Sequence, residues 1–302
     1  MLYSHVTAEA KRIRFRELLA EDRCLQFPGT FTPLATKVIQ DKGFDGVYIS
    51  GGVLANELGL PDIGLTTLTE VAQRGAQIAR STDLPTLIDA DTGFGEPMNV
   101  ARTIQELENA GVSGCHIEDQ FNPKRCGHLD GKSVVDLETA VKRIQAAAQA
   151  RRDPNFVIMA RTDIRAVEPL EVAIERAQAL VEAGADAIFP EALKDLSEFE
   201  AVAAAVPVPV LANMTEFGKS ELFTVDQLHS AGVSMVIYPV SLQRAAMGAI
   251  ERLLETIKAD GTQQAEVENM QTRSRLYETV DYDGYSAFDS DVFNFEVPGG
   301  RS

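Results

Sequence analysis

Along this chain, short apolar runs alternate with longer segments in which apolar residues recur every three or four positions. The short runs are typical of buried strands, and the longer segments are typical of amphipathic helices. Their regular alternation predicts βαβ units that build a parallel sheet. The predicted strands are eight in number, at residues 24–28, 46–50, 86–91, 114–119, 156–163, 186–191, 208–214 and 235–240.

A predicted helix follows each predicted strand. Several of these helices end at a glycine, which adopts the left-handed conformation that a helix C-terminus needs. Gly111, Gly184 and Gly232 each stand in an Ala-Gly-Val or Ala-Gly-Ala sequence that leads into the next strand. Eight such repeats predict an α/β fold with a single (β/α)8 barrel of the TIM type. The predicted helices lie at 33–42, 67–81, 98–110, 136–151, 168–183, 195–204, 224–231 and 241–258.

The two ends of the chain lie outside this repeat. Residues 1–22 predict an N-terminal amphipathic helix, and residues 263–280 predict a C-terminal helix. The tail after Asp281 is rich in Asp, Gly, Ser and Phe, and we expect it to become ordered against a partner. Because no linker divides the chain, we expect one domain over 1–302, with a C-terminal helix and tail from about 263 to 302.

The composition narrows the functional class. A length of 302 residues suits one barrel domain, and the net charge of −17 argues against binding to nucleic acid or to an anionic membrane surface. No apolar run approaches the roughly 20 residues of a membrane span, and the first residues lack the apolar core of a signal peptide. Cys24, Cys115 and Cys126 are odd in number and widely spaced, so we expect reduced thiols, the first two in the core, and a cytoplasmic protein.

Nearly every predicted strand closes on a polar or charged residue. In a barrel of this kind, the active site lies at the C-terminal ends of the strands. Buried strands avoid such residues unless they are used or paired, so their convergence indicates a functional site. The strand-end residues are Ser50, Gly51, Gly52, Asp89, Asp91, His116, Glu118, Asp119, Arg161, Asp163, Glu191, Asn213, Thr215 and Tyr238.

Asp89 and Asp91 are separated by one residue and stand before glycines at a strand end. Two such carboxylates suit Mg²⁺, which takes one or two protein carboxylates together with water and substrate oxygens. The alternative is structural: one aspartate caps the next helix or pairs with Arg161. The pair Glu118-Asp119 could extend the metal site, or could form ion pairs with the Lys-Arg pair that follows it.

Cys126 stands among basic and titratable neighbours, in the sequence Lys124-Arg125-Cys126-Gly127-His128. Nearby cations stabilise a thiolate and lower its pKa, so Cys126 is a candidate proton carrier or nucleophile. Gly127 lets a substrate approach the backbone closely. The alternative is an inert loop thiol, with His128 as a surface histidine. A metal-ligand role is disfavoured because no second cysteine lies nearby in the sequence.

Arg161, Arg244 and Arg273 follow predicted strands or helix ends. Arginine is the residue best suited to bidentate binding of a carboxylate. Several arginines around an acidic metal site predict a substrate with several carboxylates, whereas each arginine alone could be a surface ion pair. Gly51-Gly52 could offer backbone N–H groups to a carboxylate, or could form a plain tight turn. The chain has neither a glycine-rich dinucleotide motif nor a P-loop motif, which excludes both of those interpretations.

Two of these motifs together carry a resemblance to a known family. Lys124-Arg125-Cys126-Gly127-His128 and the sequence Asp-Ala-Asp-Thr-Gly-Phe-Gly at 89–95 resemble the isocitrate lyase and phosphoenolpyruvate mutase superfamily, most closely its 2-methylisocitrate lyases. The Lys-Arg-Cys-Gly-His motif is specific for the lyase branch. The similarity extends from about residue 14 to about residue 285, and includes the segments 116–120, 159–163, 189–192, 211–218 and 270–273.

The resemblance implies a Mg²⁺-dependent barrel, with Mn²⁺ as an alternative ion, that cleaves 2-methylisocitrate into pyruvate and succinate in the methylcitrate cycle of propionate catabolism. It also implies a homotetramer in which the last barrel helix is exchanged between subunits. Asp89 and Asp91 match the metal ligands, whereas Val53 departs from the family, which often has a third glycine there. The implied substrate-binding residues are Ser50, Gly51, Gly52, Cys126, Gly127, Arg161, Glu191, Asn213, Thr215, Arg244 and Arg273.

The chemistry expected of this site is a retro-aldol cleavage. The ion would bind the substrate hydroxyl and the adjacent carboxylate, and arginines would stabilise the carbanion that is left beside a carboxylate. Cys126 would protonate that carbanion, and Tyr48, or next Asp62, is the candidate for removing the hydroxyl proton. Candidates for supporting positions around these groups are His116, Glu118, Lys124 and His128.

Three rival interpretations stay open. The first is isocitrate lyase, whose substrate lacks one methyl group, a difference worth only about 1–3 kcal/mol of discrimination. Against it, this short chain lacks the long insertions of isocitrate lyases. A phosphonate mutase or a keto-acid decarboxylase on the same barrel is disfavoured by Cys126. A non-catalytic carboxylate-binding protein would not need both the metal and the thiol positions.

Overall fold

The computed structural model describes residues 3–124, 133–218 and 221–293. Over these ranges the predicted barrel is confirmed, because eight strands form one parallel sheet. The strands are β1 (Leu25–Thr30), β2 (Val47–Ile49), β3 (Thr86–Asp89), β4 (Gly114–Glu118), β5 (Val157–Thr162), β6 (Ala187–Pro190), β7 (Leu211–Asn213) and β8 (Met235–Tyr238).

The order of the strands closes the sheet on itself. Neighbours in sequence pair from β1 to β6 and from β7 to β8, and β1 also pairs with β8. Between β6 and β7 the contact is a single parallel bridge of Ile188 with Val210, where the Ile188 N–H donates to Pro209 O at 2.9 Å. This bridge completes the cylinder.

Two apolar layers follow from the alternation of side chains along each strand. In β5, Val157 and Met159 belong to the cluster inside the barrel, whereas Ile158 and Ala160 belong to the cluster between the sheet and the helices. A helix before β1, α1 (Ala8–Leu19), contributes Phe15 to the inner cluster. This ring packs on Phe27 with centroids 5.3 Å apart and plugs the barrel opposite the strand C-termini.

The outer helices follow the predicted segments, with two differences. The predicted helix 1–22 is shorter and begins after Thr7, whose side chain accepts a hydrogen bond from the Ala10 N–H. A short helix directly after β2, α3 (Gly51–Glu57), was not predicted. The other barrel helices are α2 (Pro33–Asp41), α4 (Leu68–Ala79), α5 (Pro97–Asn109), α6 (Leu137–Ala150), α7 (Leu170–Glu182), α8 (Leu196–Ala205) and α9 (Val225–Ser230).

The helix after β8, α10 (Ser241–Asp260), has no buried residue. Its exposed apolar residues recur at helical spacing on one face, which we call the α10 stripe: Met247, Ile250, Leu254 and Ile257. Beyond Leu242, which packs against the core, the apolar face of α10 is therefore open in the single chain.

The C-terminal region differs from the predicted single helix at 263–280. It forms a 3₁₀ turn, Gln264–Asn269, and then α11 (Arg273–Thr279). The tail after Asp281 continues as α12 (Tyr282–Phe293). An ion pair of Arg275 with Asp41 joins α11 to α2. None of the described helices is both long enough and apolar enough to cross a membrane.

Candidate active site

A cavity of about 310 Å³ opens at the C-terminal ends of the strands. Most residues that the sequence predicted to converge line this cavity or lie directly behind its wall. Predicted lining residues are Tyr48, Ser50, Gly52, Asp62, Asp89, Lys124, Arg161, Glu191, Asn213, Thr215 and Arg244, and unpredicted ones are Asn56, Glu216, Phe217, Pro239 and Val240. Behind them lie Gly51, Asp91, His116 and Glu118.

The rim above β2 is formed by the start of α3. Ser50 caps this helix, its Oγ accepting a hydrogen bond of 3.3 Å from the Val53 N–H. The Gly51 N–H donates to Asp89 Oδ2 at 3.3 Å, so this backbone already faces a carboxylate. Val53, where the family resemblance fails, is buried in the core and does not line the cavity, so the departure leaves the cavity wall intact.

Asp89 and Asp91 lie together at the end of β3, both buried. The Asp91 N–H donates to Asp89 Oδ1 at 2.9 Å. A Cβ atom on Gly51 would lie 3.0 Å from Asp89 Oδ2 and 3.2 Å from Asp91 Oδ1, so glycine keeps the space beside both carboxylates free. The capping part of the structural alternative is wrong, because α5 begins after Glu96 and neither aspartate caps it. The carboxylates that pair with Arg161 in the described part of the chain are those of Glu118, Asp163 and Glu191.

The two aspartates differ in their affinity for protons. Burial raises the pKa of Asp91 to about 6, against the attraction of Lys124. Burial also acts on Asp89, but the charges of His116, Lys124 and Arg161 together outweigh it and lower the pKa of Asp89. Adjacent carboxylates of this kind titrate as one unit, and a divalent cation bound to both favours their ionised forms.

The donor set fits a hard divalent cation. Glu118 Oε1 is a buried oxygen that accepts no hydrogen bond from the described residues. Asp91 Oδ1 is also buried, and the Lys124 ammonium lies 2.7 Å from it. No group of three or more His, Cys, Asp or Glu side chains within the described ranges is arranged to hold a metal alone. Water and substrate oxygens would therefore complete the coordination, as is usual for Mg²⁺.

Tyr48 and His116 form a buried pair beside the aspartates, with 2.8 Å between Tyr48 Oη and His116 Nε2. Burial lowers the pKa of His116 to about 4, so the ring is neutral at pH 7. Burial, helped by Asp89, raises the pKa of Tyr48 well above its ordinary value. His116 Nδ1 lies 3.7 Å from Asp89 Oδ1. This carboxylate favours a proton on Nδ1, so that Nε2 accepts from the Tyr48 hydroxyl.

Arg161, in β5, is enclosed by three carboxylates. Its Nε and Nη2 donate to Asp163 at 3.0 and 3.2 Å. Glu118 lies 3.3 Å from Nε, and Glu191 lies 3.6 Å from Nη2. The Phe189 ring packs on the guanidinium, with 5.0 Å between Cζ and the ring centroid. Arg161 is thereby held at one position in the cavity wall, which suits it for binding a substrate carboxylate.

Lys124 lines the cavity and places its ammonium group among the acidic side chains there. Its Nζ lies 2.5 Å from Asp62 Oδ1 and 2.7 Å from Asp91 Oδ1. Burial opposes its charge, but the carboxylates around it, Asp91 foremost, raise the pKa of Lys124 well above its ordinary value. The sequence predicted a supporting position, whereas the structure shows a bridge between the candidate base Asp62 and the candidate metal ligand Asp91.

Asp119 does not extend the metal site, contrary to one expectation, because it does not line the cavity. Its carboxylate accepts hydrogen bonds from Thr162 Oγ1 at 2.6 Å and from the Asp163 N–H at 2.9 Å. Its ion-pair partner is Arg176 of α7, at 3.0 Å. Asp119 therefore joins the ends of β4 and β5 and has a structural role.

The wall above β7 and β8 was only partly predicted. Asn213 Nδ2 donates to Glu191 Oε2 at 3.2 Å, as the convergence of strand ends suggests. Glu216 and Phe217 also line this wall. Their position in the segment 211–218, which carries part of the family resemblance, was the only sequence signal for them. Arg244 reaches the wall from the first turn of α10.

Several predicted residues are not placed in this cavity. Tyr238, at the end of β8, lines a groove on the outside of the barrel. Arg273, the first residue of α11, is exposed and does not line the cavity. Cys126, Gly127 and His128 lie outside the described residues.

Comparisons with known proteins show the family to which this chain belongs. The family model described as phosphoenolpyruvate phosphomutase matches residues 15–258. A protein of Corynebacterium glutamicum named probable 2-methylisocitrate lyase 2 is 57% identical over 297 residues, 98% of this chain and 97% of that protein. The crystal structure of 2,3-dimethylmalate lyase has a TM-score of 0.87 at 33% identity and covers 97% of this chain and 99% of its own. Phosphonopyruvate hydrolase in complex with oxalate and Mg²⁺ has a TM-score of 0.85 at 28% identity, covering 94% and 99%.

Proposed function

This chain belongs to the phosphoenolpyruvate phosphomutase family, and within that family we propose that it cleaves 2-methylisocitrate into pyruvate and succinate. The chain is a carbon–carbon lyase, because it is 57% identical to a probable 2-methylisocitrate lyase over 98% of its length. The reaction belongs to the methylcitrate cycle of propionate catabolism.

One observation carries the choice of substrate class. Arg161 and Arg244 line the same cavity of about 310 Å³ as the carboxylate of Asp89, with Asp91 directly behind it. Two arginines suit two carboxylates, and the acidic pair repels an anion unless a metal ion lies between them. A small tricarboxylate that also ligates a cation satisfies both conditions.

The ion is Mg²⁺, with Mn²⁺ as the alternative, held by Asp89 and Asp91. The presence of Mg²⁺ with oxalate in the phosphonopyruvate hydrolase structure supports this choice. A divalent ion supplies Lewis-acid polarisation of the substrate hydroxyl and the neighbouring carboxylate.

The chain's own groups bind and orient the substrate. Arg161 and Arg244 bind substrate carboxylates. At the rim formed by α3, Ser50 and the N–H groups of Gly51 and Gly52 bind a further substrate carboxylate. These donors are fixed before the substrate arrives, so they stabilise developing negative charge without rearranging. The other substrate-binding residues that we propose in this cavity are Glu191, Asn213 and Thr215.

Tyr48 removes the hydroxyl proton with His116 behind it. Because the phenol donates to His116 Nε2 at 2.8 Å, Tyr48 Oη can take the substrate proton while its own proton passes to Nε2. Asp89 Oδ1 lies 3.7 Å from His116 Nδ1, and its charge offsets part of the burial that lowers the pKa of His116. Asp62 suits this role less well, since its Oδ1 already accepts from the Lys124 ammonium at 2.5 Å.

Cys126 supplies the proton that ends the reaction. Cleavage of the carbon–carbon bond leaves its electron pair on the carbon beside a carboxylate of the succinate half. The Cys126 thiol gives its proton to that carbon, becomes a thiolate, and is protonated again when the products leave. The support for this role is the sequence Arg125-Cys126-Gly127-His128, in which a cation and a titratable side chain stand next to the thiol and favour a thiolate. The ammonium of Lys124 is already paired with Asp62 and Asp91.

Keto-acid release from two substrates tests the function. We expect pyruvate from 2-methylisocitrate, and a kcat/KM on isocitrate that is lower by roughly tenfold or more, because one methyl group is worth about 1–3 kcal/mol. Comparable rates on isocitrate would overturn the choice of substrate, and no keto acid from either would overturn the proposal. Full activity of Cys126→Ala would remove the role of Cys126.

We also propose a homotetramer that exchanges α10. A groove of about 300 Å³ lies on the barrel where α10 leaves it, and its apolar wall includes Val38, Ile39, Phe44 and Leu242. The α10 stripe of a second copy suits this groove. In that assembly Arg273, which is remote from the cavity of its own chain, would serve the cavity of a neighbour. Ile250→Asp should give monomers in light scattering; an unchanged mass would contradict the exchange.

A cytoplasmic location is supported by the cysteines. Cys24 and Cys115 are buried free thiols. Burial raises the pKa of both, to about 12 for Cys24, so neither reacts readily. Free thiols suit a reducing compartment. Recovery of the protein in a secreted fraction would contradict this location.

A further inference from the structure

The loop after β7 places a carboxylate against Arg244 that the reaction above does not use. Glu216 Oε2 accepts from Arg244 Nη1 at 3.2 Å, and the Glu216 main-chain oxygen accepts from the same nitrogen at 2.5 Å. Thr215 Oγ1 accepts from Nη1 at 3.4 Å. All the hydrogen bonds that Arg244 makes to Thr215 and Glu216 come from Nη1, and none comes from Nε or Nη2. The loop therefore holds the guanidinium by one nitrogen.

The same carboxylate reaches the start of α10. The Ser241 hydroxyl donates to Glu216 Oε1, while Arg244 donates to Oε2. Ser241 and Arg244 are three residues apart in the first turn of α10, so they share one side of the helix. Glu216 thus connects the loop to α10 at two points.

Phe217 covers the guanidinium that Glu216 holds. Its ring centroid lies 5.3 Å from Arg244 Cζ. The residue is 94% exposed and has a φ of 61°, an unusual combination for an aromatic residue in a loop. The contact with the cation gives a reason for this conformation, since arginine binds to the face of an aromatic ring.

We propose that Glu216 is a positioning residue for substrate binding: it fixes Arg244 through Nη1 and leaves the Nε–Nη2 edge for a substrate carboxylate. A bidentate bond to a carboxylate needs two donors on one edge of the guanidinium. The inference rests on the proposed function, because it requires an anionic substrate in this cavity. A carboxylate in the wall repels such a substrate, and its hold on Arg244 offsets that repulsion.

The competing explanation is that Glu216 occupies the carboxylate site of Arg244 and is displaced by substrate. The geometry favours positioning, because Glu216 takes one nitrogen of the guanidinium and adds a main-chain acceptor that substrate cannot displace without moving the loop. The two explanations predict opposite effects. Loss of the side chain weakens binding if Glu216 positions Arg244, and strengthens it if Glu216 competes.

A double-mutant cycle of Glu216 and Arg244 tests the proposal. KM for 2-methylisocitrate and, by calorimetry with Mg²⁺, the Kd for succinate are measured. Glu216→Ala should raise both by roughly tenfold, the range for a hydrogen bond to a charged group, with kcat within about twofold. Glu216→Gln keeps an acceptor, so it should raise both by about threefold. In an Arg244→Ala background, Glu216→Ala should change neither by more than about twofold.

Glu57→Ala is the matched control, because it breaks the Arg74–Glu57 pair of α3 and α4, which does not line the cavity. This variant should leave both constants unchanged. If Glu216→Ala fails to fold, Glu216→Gln replaces it in the same double-mutant cycle. A lower Kd after loss of the side chain, or equal effects in both backgrounds, would overturn the positioning role.

The binding measurement separates this inference from the proposed function. Succinate binding is read without turnover. If the double-mutant cycle shows coupling of Glu216 and Arg244 in succinate binding, but the protein does not cleave 2-methylisocitrate, the proposed function is overturned and the positioning role is supported. A wild-type protein that binds neither ligand would overturn both.

Discussion

Asp163 holds the guanidinium of Arg161, with its carboxylate oxygens 3.0 Å from Nε and 3.2 Å from Nη2. Asp163 is fully buried and does not line the cavity, whereas Arg161 does. The two residues are two positions apart at the end of β5, where alternate side chains share a face. This pair therefore sets the position of a cation that the proposed reaction needs.

Asp163→Asn should weaken both folding and substrate binding. Breaking a buried ion pair costs about 3–5 kcal/mol, and we expect the lower end because Glu118 and Glu191 stay near Arg161. Urea unfolding and KM measure the two effects. Glu198→Gln, which weakens the Arg165–Glu198 pair outside the cavity, should lower stability alone. An Asp163→Asn enzyme with unchanged KM would show that Asp163 does not position Arg161.

Tyr48→Phe should lower kcat with little change in KM. The variant keeps the ring but cannot take a proton from the substrate or pass one to His116. General-base catalysis contributes roughly a hundredfold to ten-thousandfold, and the loss in kcat should fall in this range. Steady-state kinetics at pH 7 measure it. A loss in kcat of less than about threefold would mean that another group removes the hydroxyl proton, and Asp62 is the next candidate.

Gly51→Ala should weaken metal binding. The new Cβ would lie 3.0 Å from Asp89 Oδ2 and 3.2 Å from Asp91 Oδ1, so the carboxylates must shift by a few tenths of an ångström. We expect the Mg²⁺ concentration for half-maximal activity to rise by roughly tenfold, as for disturbed ligand geometry. Gly248→Ala, which adds its Cβ 3.6 Å from the nearest heavy atom, Arg252 Nη1, is the control and should not change this concentration. Equal metal requirements in the two variants would contradict the site.

His116 should make folding depend on pH. Burial lowers its pKa from 6.5 to about 4, so between these values the unfolded chain binds more protons and stability rises with pH. The effect amounts to about 3 kcal/mol. The difference in unfolding free energy between wild type and His116→Gln should therefore change by about 3 kcal/mol between pH 4 and 6.5.

Urea unfolding across this pH range measures that difference. The raised pKa of Asp91 acts in the opposite direction in both proteins, so the comparison reduces its contribution. A difference that stays constant with pH would mean that His116 is not buried in its neutral form.

The barrel could be predicted because its signal is local. In β5, four successive apolar or small residues serve two apolar layers, so the whole run is apolar and short. The strand-end rule then brought Asp89, Arg161 and Glu191 to one cavity without any knowledge of distances. The fold and the composition of the site both follow from this repeat.

The remaining features depend on tertiary contacts. Gly51 and Gly52 are poor helix formers, and α3 begins there because Ser50 caps it and Asp89 accepts the first N–H. The register of β4 on β5 places Glu118 opposite Arg161, which no single strand sequence reveals. The positions of Glu216 and Phe217 depend on the loop conformation after β7, and the role of Cys126 stays a prediction.

The most direct test is pyruvate formation from 2-methylisocitrate by enzyme stripped with EDTA and titrated with Mg²⁺, for wild type and Asp91→Asn. We expect no pyruvate without metal, recovery on addition of Mg²⁺, and a loss of at least roughly a hundredfold in Asp91→Asn at any Mg²⁺ concentration. Full activity in EDTA, or an Asp91→Asn enzyme with the metal response of wild type, would contradict a lyase that works through an ion at Asp89 and Asp91.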